Sequence, residues 1–322
     1  MRIGTLFGGC GGWDIGALEA GASPVWSIER EPEIAAVQAR YFARRAPEHR
    51  VVVEDVWGAL QQPLGEIDVL LASPVCKSHS KGTSRFDDQD YCEHAWTGEV
   101  VPNYARIYRP RFVVVENVEG YAKHPSFRNI CEGLRELGYE GRQAVYRFDR
   151  HGLPQSRERL LAWFEFGKNR IKNLLEPRDP VSWHESTVDL LPRLEKSSLA
   201  KWQRERLDRM IARGKSGPYP WLISSFGVST PAFASGKTVI VGRFADEPAW
   251  TVVASRKAQS ALRVLAEDGS VRVASLRMLA RFQGFPDDWE IPEDKDVAYT
   301  TIGNAVPPMI AQQVVERIAA AW

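Results

Sequence analysis

Short apolar runs that end in glycine or an acid, separated by helical stripes, organise the first half of the chain. "RIGTLF" (2–7) is a β-leaning run that stops at "GGCGG", and "WDIGALEAG" behind it has helical spacing with a stop at Gly21. "VWSIE" predicts a second strand. Pro32 then suits a first helical turn, and Ile34, Val37, Tyr41 and Phe42 share one face of "EIAAVQARYFARR". "VVVED", "IDVLLAS" and "FVVVEN" predict three more strands of near-continuous apolar content, as expected of a parallel sheet covered on both sides by helices. The predicted fold class is therefore α/β, a doubly wound and mostly parallel sheet.

From about residue 167 the pattern loosens. Prolines at 177, 180, 192, 218, 220 and 231 and weaker periodicity predict a second, smaller region over 167–299, with 1–166 and 300–322 forming the first. Within it, "EKSSLAKWQRERLDRMIARGKSG" carries seven Lys or Arg against three acids, and Leu199, Trp202, Leu207, Met210 and Ile211 lie on a helical stripe. A solvated helix face and a phosphate-facing surface both fit that charge. A closing helix is expected to start at Pro307 and Pro308.

Composition changes this picture little. At 322 residues, 44% hydrophobic, 26% charged and net charge +1, the chain has the make-up of an ordinary soluble protein, with no run of the roughly 18 apolar residues a membrane span requires. Without a signal-peptide pattern it is expected in the cytoplasm, its four cysteines as free thiols. Cys76, His79, Cys92 and His94 loosely resemble zinc ligands, but the second pair is spaced too tightly for the usual structural patterns, and no metal is expected.

Doubly wound sheets bind ligands outside the carboxyl ends of their strands. Here those ends carry Phe7 with its glycines, Glu29, Asp55, Cys76, and Glu116 with Asn117. Gly8, Gly9, Gly11 and Gly12 allow close backbone approach, and Glu29, 20 positions after Gly9, suits ribose hydroxyls. A dinucleotide fingerprint requires glycine at position 14, which is Asp14, so a nucleoside without phosphates is the better match. Cys76 is a candidate nucleophile beside Lys77, whose charge favours the thiolate. Glu116 leaves an apolar strand as a carboxylate that requires a partner or a proton. Arg157 and Arg159 alternate, and share a face if the segment is extended.

These residues resemble the DNA cytosine-5 methyltransferases over nearly the whole chain. "FGGCGG" is similar to the F-x-G-x-G-G cofactor motif, "SPVC" to the Pro-Pro-Cys nucleophile motif and "ENV" (116–118) to the catalytic glutamate motif. "QSRER" (155–159), the arginine-rich "RVASLRMLARFQGFPDDW" (272–289) and "GNAVPP" (303–308) follow in the family's order. The resemblance implies S-adenosyl-L-methionine as cofactor, with Phe7, Gly9, Gly11, Gly12, Glu29, Asp55 and Asn304 around it. It implies Cys76, Glu116, Arg157 and Arg159 as catalytic residues acting on a cytosine flipped out of double-stranded DNA, and Lys77 and Ser80 on a loop (77–90) that meets the DNA. The 167–299 region would be the target-recognition domain. The implied enzyme is a monomer of a modification system, with room for a cognate restriction endonuclease as partner.

Val75 stands where the family has proline, Lys77 where it has glutamine and Met278 where it has glutamate. Val75 frees one φ angle next to the nucleophile. Two other readings share the motifs: a tRNA cytosine-5 methyltransferase, and a non-catalytic nucleic-acid binder of the same fold.

Overall fold

Strands form where the apolar runs predict them. In the computed structural model, which describes residues 1–75, 95–212, 214–224 and 242–322, the first unit comprises Met1–Phe148, Glu158–Pro177 and Ala305–Trp322. Numbered along the chain, its strands are β1 (Arg2–Leu6), β2 (Ser23–Glu29), β3 (Arg50–Val53), β4 (Val69–Ala72), β5 (Phe112–Asn117), β6 (Tyr139–Arg147) and β8 (Glu158–Phe166). They lie in the order β3-β2-β1-β4-β5-β8-β6. The four pairings from β3 to β5 are parallel; β8 pairs antiparallel with both β5 and β6. The expected mostly parallel α/β sheet is thus present.

Period-two alternation sorts side chains to the two faces of this sheet. Leu6, Trp26, Ile28, Leu70, Val113 and Val115 join one core with Val101 and Tyr104 of α3 (Val101–Tyr108) and Ile130 and Leu134 of α4 (Pro125–Glu136). On the opposite face Thr5 meets Asp14 of α1 (Gly12–Glu19), and Asp14 in turn meets Gln38 of α2 (Pro32–Arg45). α4 starts sharply because Pro125 occupies its first turn and the His124 ring nitrogen Nδ1 accepts from the Ser126 N–H.

The closing helix α9 (Pro308–Ala319) packs on α1 at very short range. A Cβ placed on Gly12 would stand 2.0 Å from the Val306 carbonyl oxygen, and one on Gly16 would stand 2.4 Å from that of Pro308. One helical turn separates the two glycines, so they form a groove that only hydrogen side chains leave open. Residues 167–177 also stay with this unit: the Trp163 indole donates to the Ile171 carbonyl and the Asn169 amide to the carbonyls of Glu140 and Trp163.

The second unit comprises Asp149–Arg157 and Arg178–Asn304. Its segments β11 (Gly242–Arg243), β10 (Trp221–Ile223), β13 (Arg263–Leu265), β14 (Val271–Val273) and β9 (Lys196–Ser197) form an antiparallel sheet in that order, and β7 (Gln155–Ser156) pairs with β12 (Ala249–Trp250). α5 (Lys201–Ala212) covers the sheet with Leu207 and Met210, beside Leu199, Trp221, Ile223, Leu265 and Val271. The helical stripe is shorter than its periodicity predicts: Leu199 precedes α5, and Ile211 is 48% exposed. α6 (Arg256–Gln259), α7 (Leu276–Phe282) and α8 (Lys295–Asn304) complete the unit. Residues 149–157 belong here although they precede the expected boundary at 166, because the buried Gln155 amide donates to Phe282 and Gln283 and accepts from the Val252 N–H. Among the described residues no helix is long and apolar enough to cross a membrane.

Gly16→Ala, which helix propensity alone would favour, is expected to destabilise the protein by about 1–3 kcal/mol by forcing α9 off α1. Urea unfolding measures this; an unchanged or higher midpoint would show that the groove has slack.

Candidate active site

Parallel register aligns the strand ends. Leu6 of β1 lies opposite Ile28 of β2 and Ala72 of β4, Glu29 opposite Val53 of β3, and Ala72 opposite Val115 of β5. Phe7, Glu29, Asp55, Ser73 and Glu116 therefore leave the sheet along one edge. The turn after β1 is contorted: Phe7, Gly9 and Gly11 have φ of 59°, 56° and 92°. For Phe7 this left-handed backbone costs about 1–2 kcal/mol, a strain that persists only where surrounding structure imposes it.

The Gly9 N–H donates to Glu29 Oε2 at 2.9 Å, and Glu29 Oε1 accepts from the Glu31 N–H at 2.9 Å. Both carboxylate oxygens are thereby oriented and keep further lone pairs. A Cβ built on Gly9 meets no atom of the described residues within 4 Å, so among these the turn presents bare backbone to open space. Asp55, half-buried, accepts from the Trp57 N–H through Oδ1. Bare glycine backbone, a half-buried Phe7 and two oriented carboxylates suit an uncharged ribose and an adenine ring, and these groups include no cation for a phosphate. Cys10, within the turn, is buried, and burial pushes its thiol up to about 12, which makes it inert.

On β5, Glu116 is only 6% exposed, and Oε1 lies 3.3 Å from Nε of Arg159 on β8. This ion pair resolves the cost of an acid at the end of an apolar strand. The neighbouring Asn117 amide donates to the Pro74 carbonyl at 2.9 Å and its oxygen accepts from the Val118 N–H, while the Trp13 indole donates to Ser73 Oγ at 2.8 Å. Asn117 thus holds the Pro74 backbone and Trp13 the Ser73 side chain, just ahead of Val75. Cys76, Lys77 and Ser80, with His79, Cys92 and His94 of the zinc-like set, lie outside the described residues. Among the described residues no group of three or more potential ligands could hold a metal.

Comparison with known proteins decides what this edge belongs to. A model of the C-5 cytosine-specific DNA methylase family matches residues 1–320. The chain belongs to this family. Relatives include the Type II methyltransferases M.NgoMIV and M.NgoPII of Neisseria gonorrhoeae. The first is 28% identical, covering 96% of this chain and 94% of the relative; the second is 25% identical, covering 99% and 95%. The fold matches that of the Entamoeba histolytica methyltransferase EhMeth with a TM-score of 0.67 at 13% identity, covering 100% of this chain and 98% of that one. The methylase transfers methyl groups from S-adenosylmethionine to carbon 5 of cytosine in DNA.

The remaining predicted residues of the methylase stand in its second unit. Arg157 is buried, and its guanidinium donates to the carbonyls of Val252 and Gly303; Asn304 is exposed at the end of α8. Arg157 and Arg159, two positions apart, therefore have different tasks. Arg157 ties the β7 segment to α8, whereas Arg159 meets the glutamate. The arginine-rich block is likewise braced internally: Arg277 donates to the carbonyls of Pro286 and Trp289, Arg281 to Asp189 and Asp287. Met278, at the family's glutamate position, is fully buried.

Sequence reasoning missed one feature of the methylase, a buried polar chain beneath the glycine turn. Thr5 Oγ1 donates to Asp14 Oδ1 at 2.7 Å, Gln38 Nε2 donates to Asp14 Oδ2 at 2.9 Å, and the same nitrogen lies 3.1 Å from Nε2 of His49. The only signal was Asp14, an acid inside an apolar helix face. Burial pushes Asp14 from 3.8 up to about 7 and His49 from 6.5 down to about 4. Taken alone, Asp14 favours the fold below pH 3.8 and loses that contribution as pH rises through about 7. His49 favours the fold above pH 6.5 and loses it as pH falls through about 4, so the two oppose each other between those limits. Asp14→Asn leaves His49 unopposed, and the urea midpoint of the variant should rise with pH between about 4 and 6.5 more steeply than that of the wild type. Equal slopes would remove Asp14 from this balance.

Proposed function

We propose that the methylase modifies a flipped-out cytosine by covalent catalysis, with Cys76 as nucleophile and the Glu116–Arg159 pair as the base-recognition group. The observation that carries this reading is the pair itself. A buried carboxylate 3.3 Å from a guanidinium nitrogen, at the carboxyl end of β5, faces the same edge as the glycine turn and Glu29. Ring atoms inside a duplex are out of reach, so the base must leave the stack. The Cys76 thiolate adds to carbon 6, Glu116 bonds ring nitrogen 3 and the exocyclic amine, and Arg159 holds the ring carbonyl. Carbon 5 then becomes enamine-like and nucleophilic. Loss of its proton after alkylation expels the thiol and restores aromaticity. Glu29, Asp55 and the glycine turn would hold S-adenosylmethionine, which would supply an electrophilic methyl group whose carbon–sulfur bond breaks to leave a neutral thioether. Lys77, beside the nucleophile, favours the thiolate.

The second unit reads the target sequence in this proposal, and the Type II relatives support a role as the modification half of a restriction–modification pair, with a cognate endonuclease as companion. Bisulfite sequencing of host DNA after expression should show conversion-resistant cytosines in one sequence context. In a tritium-transfer assay Cys76→Ser should abolish labelling of duplex DNA, and Arg159→Ala should reduce it about 100-fold or more, as expected for loss of a charged hydrogen-bond donor at a reacting base. tRNA offered beside DNA should stay unlabelled. Full activity of Cys76→Ser would overturn the nucleophile assignment, and preferential labelling of tRNA the substrate.

A further inference from the structure

Thr5, Asp14, Ser27 and Gln38 are fully buried and His49 nearly so. They come from β1, α1, β2, α2 and the turn before β3. A core that only fastens helices to a sheet has no use for such groups, since apolar side chains of similar volume do this without dehydrating polar atoms. Two of these groups, Ser27 and Gln38, lie directly under the glycine turn. A Cβ on Gly8 would stand 1.9 Å from Ser27 Oγ and 3.2 Å from Gln38 Oε1, and one on Gly11 would stand 2.9 Å from Gln38 Cγ. Above, Gly9 faces open space and its N–H is held by Glu29. The turn is thus clamped between the Gln38 side chain and the Glu29 carboxylate, in a backbone shape that Phe7 would not adopt unaided.

Gln38 is in turn held by its amide hydrogens, one on Asp14 Oδ2 and the other directed at His49 Nε2. That second bond requires a neutral imidazole with Nε2 as acceptor, in keeping with the lowered proton affinity of His49. Gln38 Oε1 is buried without a hydrogen-bond partner among the described residues, so Asp14 and His49 set the orientation of this amide.

We propose that Asp14 and Gln38 are positioning residues for S-adenosylmethionine: Asp14, acting through Gln38, holds the Gly8–Gly11 backbone in the shape that receives the cofactor. The inference rests on the reading that this turn and Glu29 bind the cofactor.

Calorimetric titration of the full chain with S-adenosylhomocysteine tests it, with affinity for duplex DNA measured on the same samples without cofactor. Gln38→Met, close in size and without the amide, and Asp14→Leu should each weaken S-adenosylhomocysteine binding tenfold or more and leave DNA affinity within about twofold. Asp14→Asn, which can still accept from Gln38, should recover most of the loss. Binding within twofold of wild type in Gln38→Met would overturn the proposal even if Asp14→Leu does not fold. So would an Asp14→Asn variant as weak as Asp14→Leu, or a parallel fall in DNA affinity, which would mark a general loss of structure. Wild-type protein that does not bind S-adenosylhomocysteine would refute the cofactor reading and the inference together.

Discussion

Everything in the first unit depends on the register of five adjacent parallel strands. Because β3, β2, β1, β4 and β5 run the same way and end level, their last residues are delivered to one edge without any loop having to reach for it. A slip of one residue in any strand would exchange the side chains of its two faces and carry its last residue off the common edge. The hydrophobic pattern that builds the core therefore also fixes where Glu29 and Glu116 emerge. Placement of chemistry and placement of the core are the same event.

Buried charge appears in this protein where geometry must be unique. Glu116 and Arg159 neutralise each other at the end of β5, and removing either would leave a nearly buried ion alone, a situation that costs about 3–5 kcal/mol. The second unit spends its arginines differently. Arg157, and Arg277 and Arg281 of the arginine-rich block, donate to backbone carbonyls and aspartates inside that unit, so these arginines serve as internal scaffolding.

Strands, the glycine turn and the residues at the strand ends were legible because each is a local pattern: apolar run, breaker, acid. The polar chain beneath the turn was not, since its members stand far apart in sequence and each looks unremarkable alone. Asp14 drew notice only as a missing glycine, and Gln38 and His49 drew none. The arginines of "QSRER" misled in a different way. Alternation implies a shared face, but β7 ends at Ser156 and β8 begins at Glu158, so Arg157 falls at a break between strands that side-chain periodicity does not reveal. In the second unit, strands of two or three residues leave no period to detect, and tertiary contacts decide where they form.

The groove of Gly12 and Gly16 has a consequence for synthesis. Its filler, the segment around Val306 and Pro308, is separated from α1 in the chain by the whole second unit, and so is made after it. At about 5–20 residues per second, the opening helix waits on the order of 15–60 s for its partner. Throughout that interval the whole second unit is made, yet the first unit cannot close. The nascent methylase therefore carries an uncovered face on α1 throughout synthesis of its second unit, and that face can be covered only once the second unit has been made.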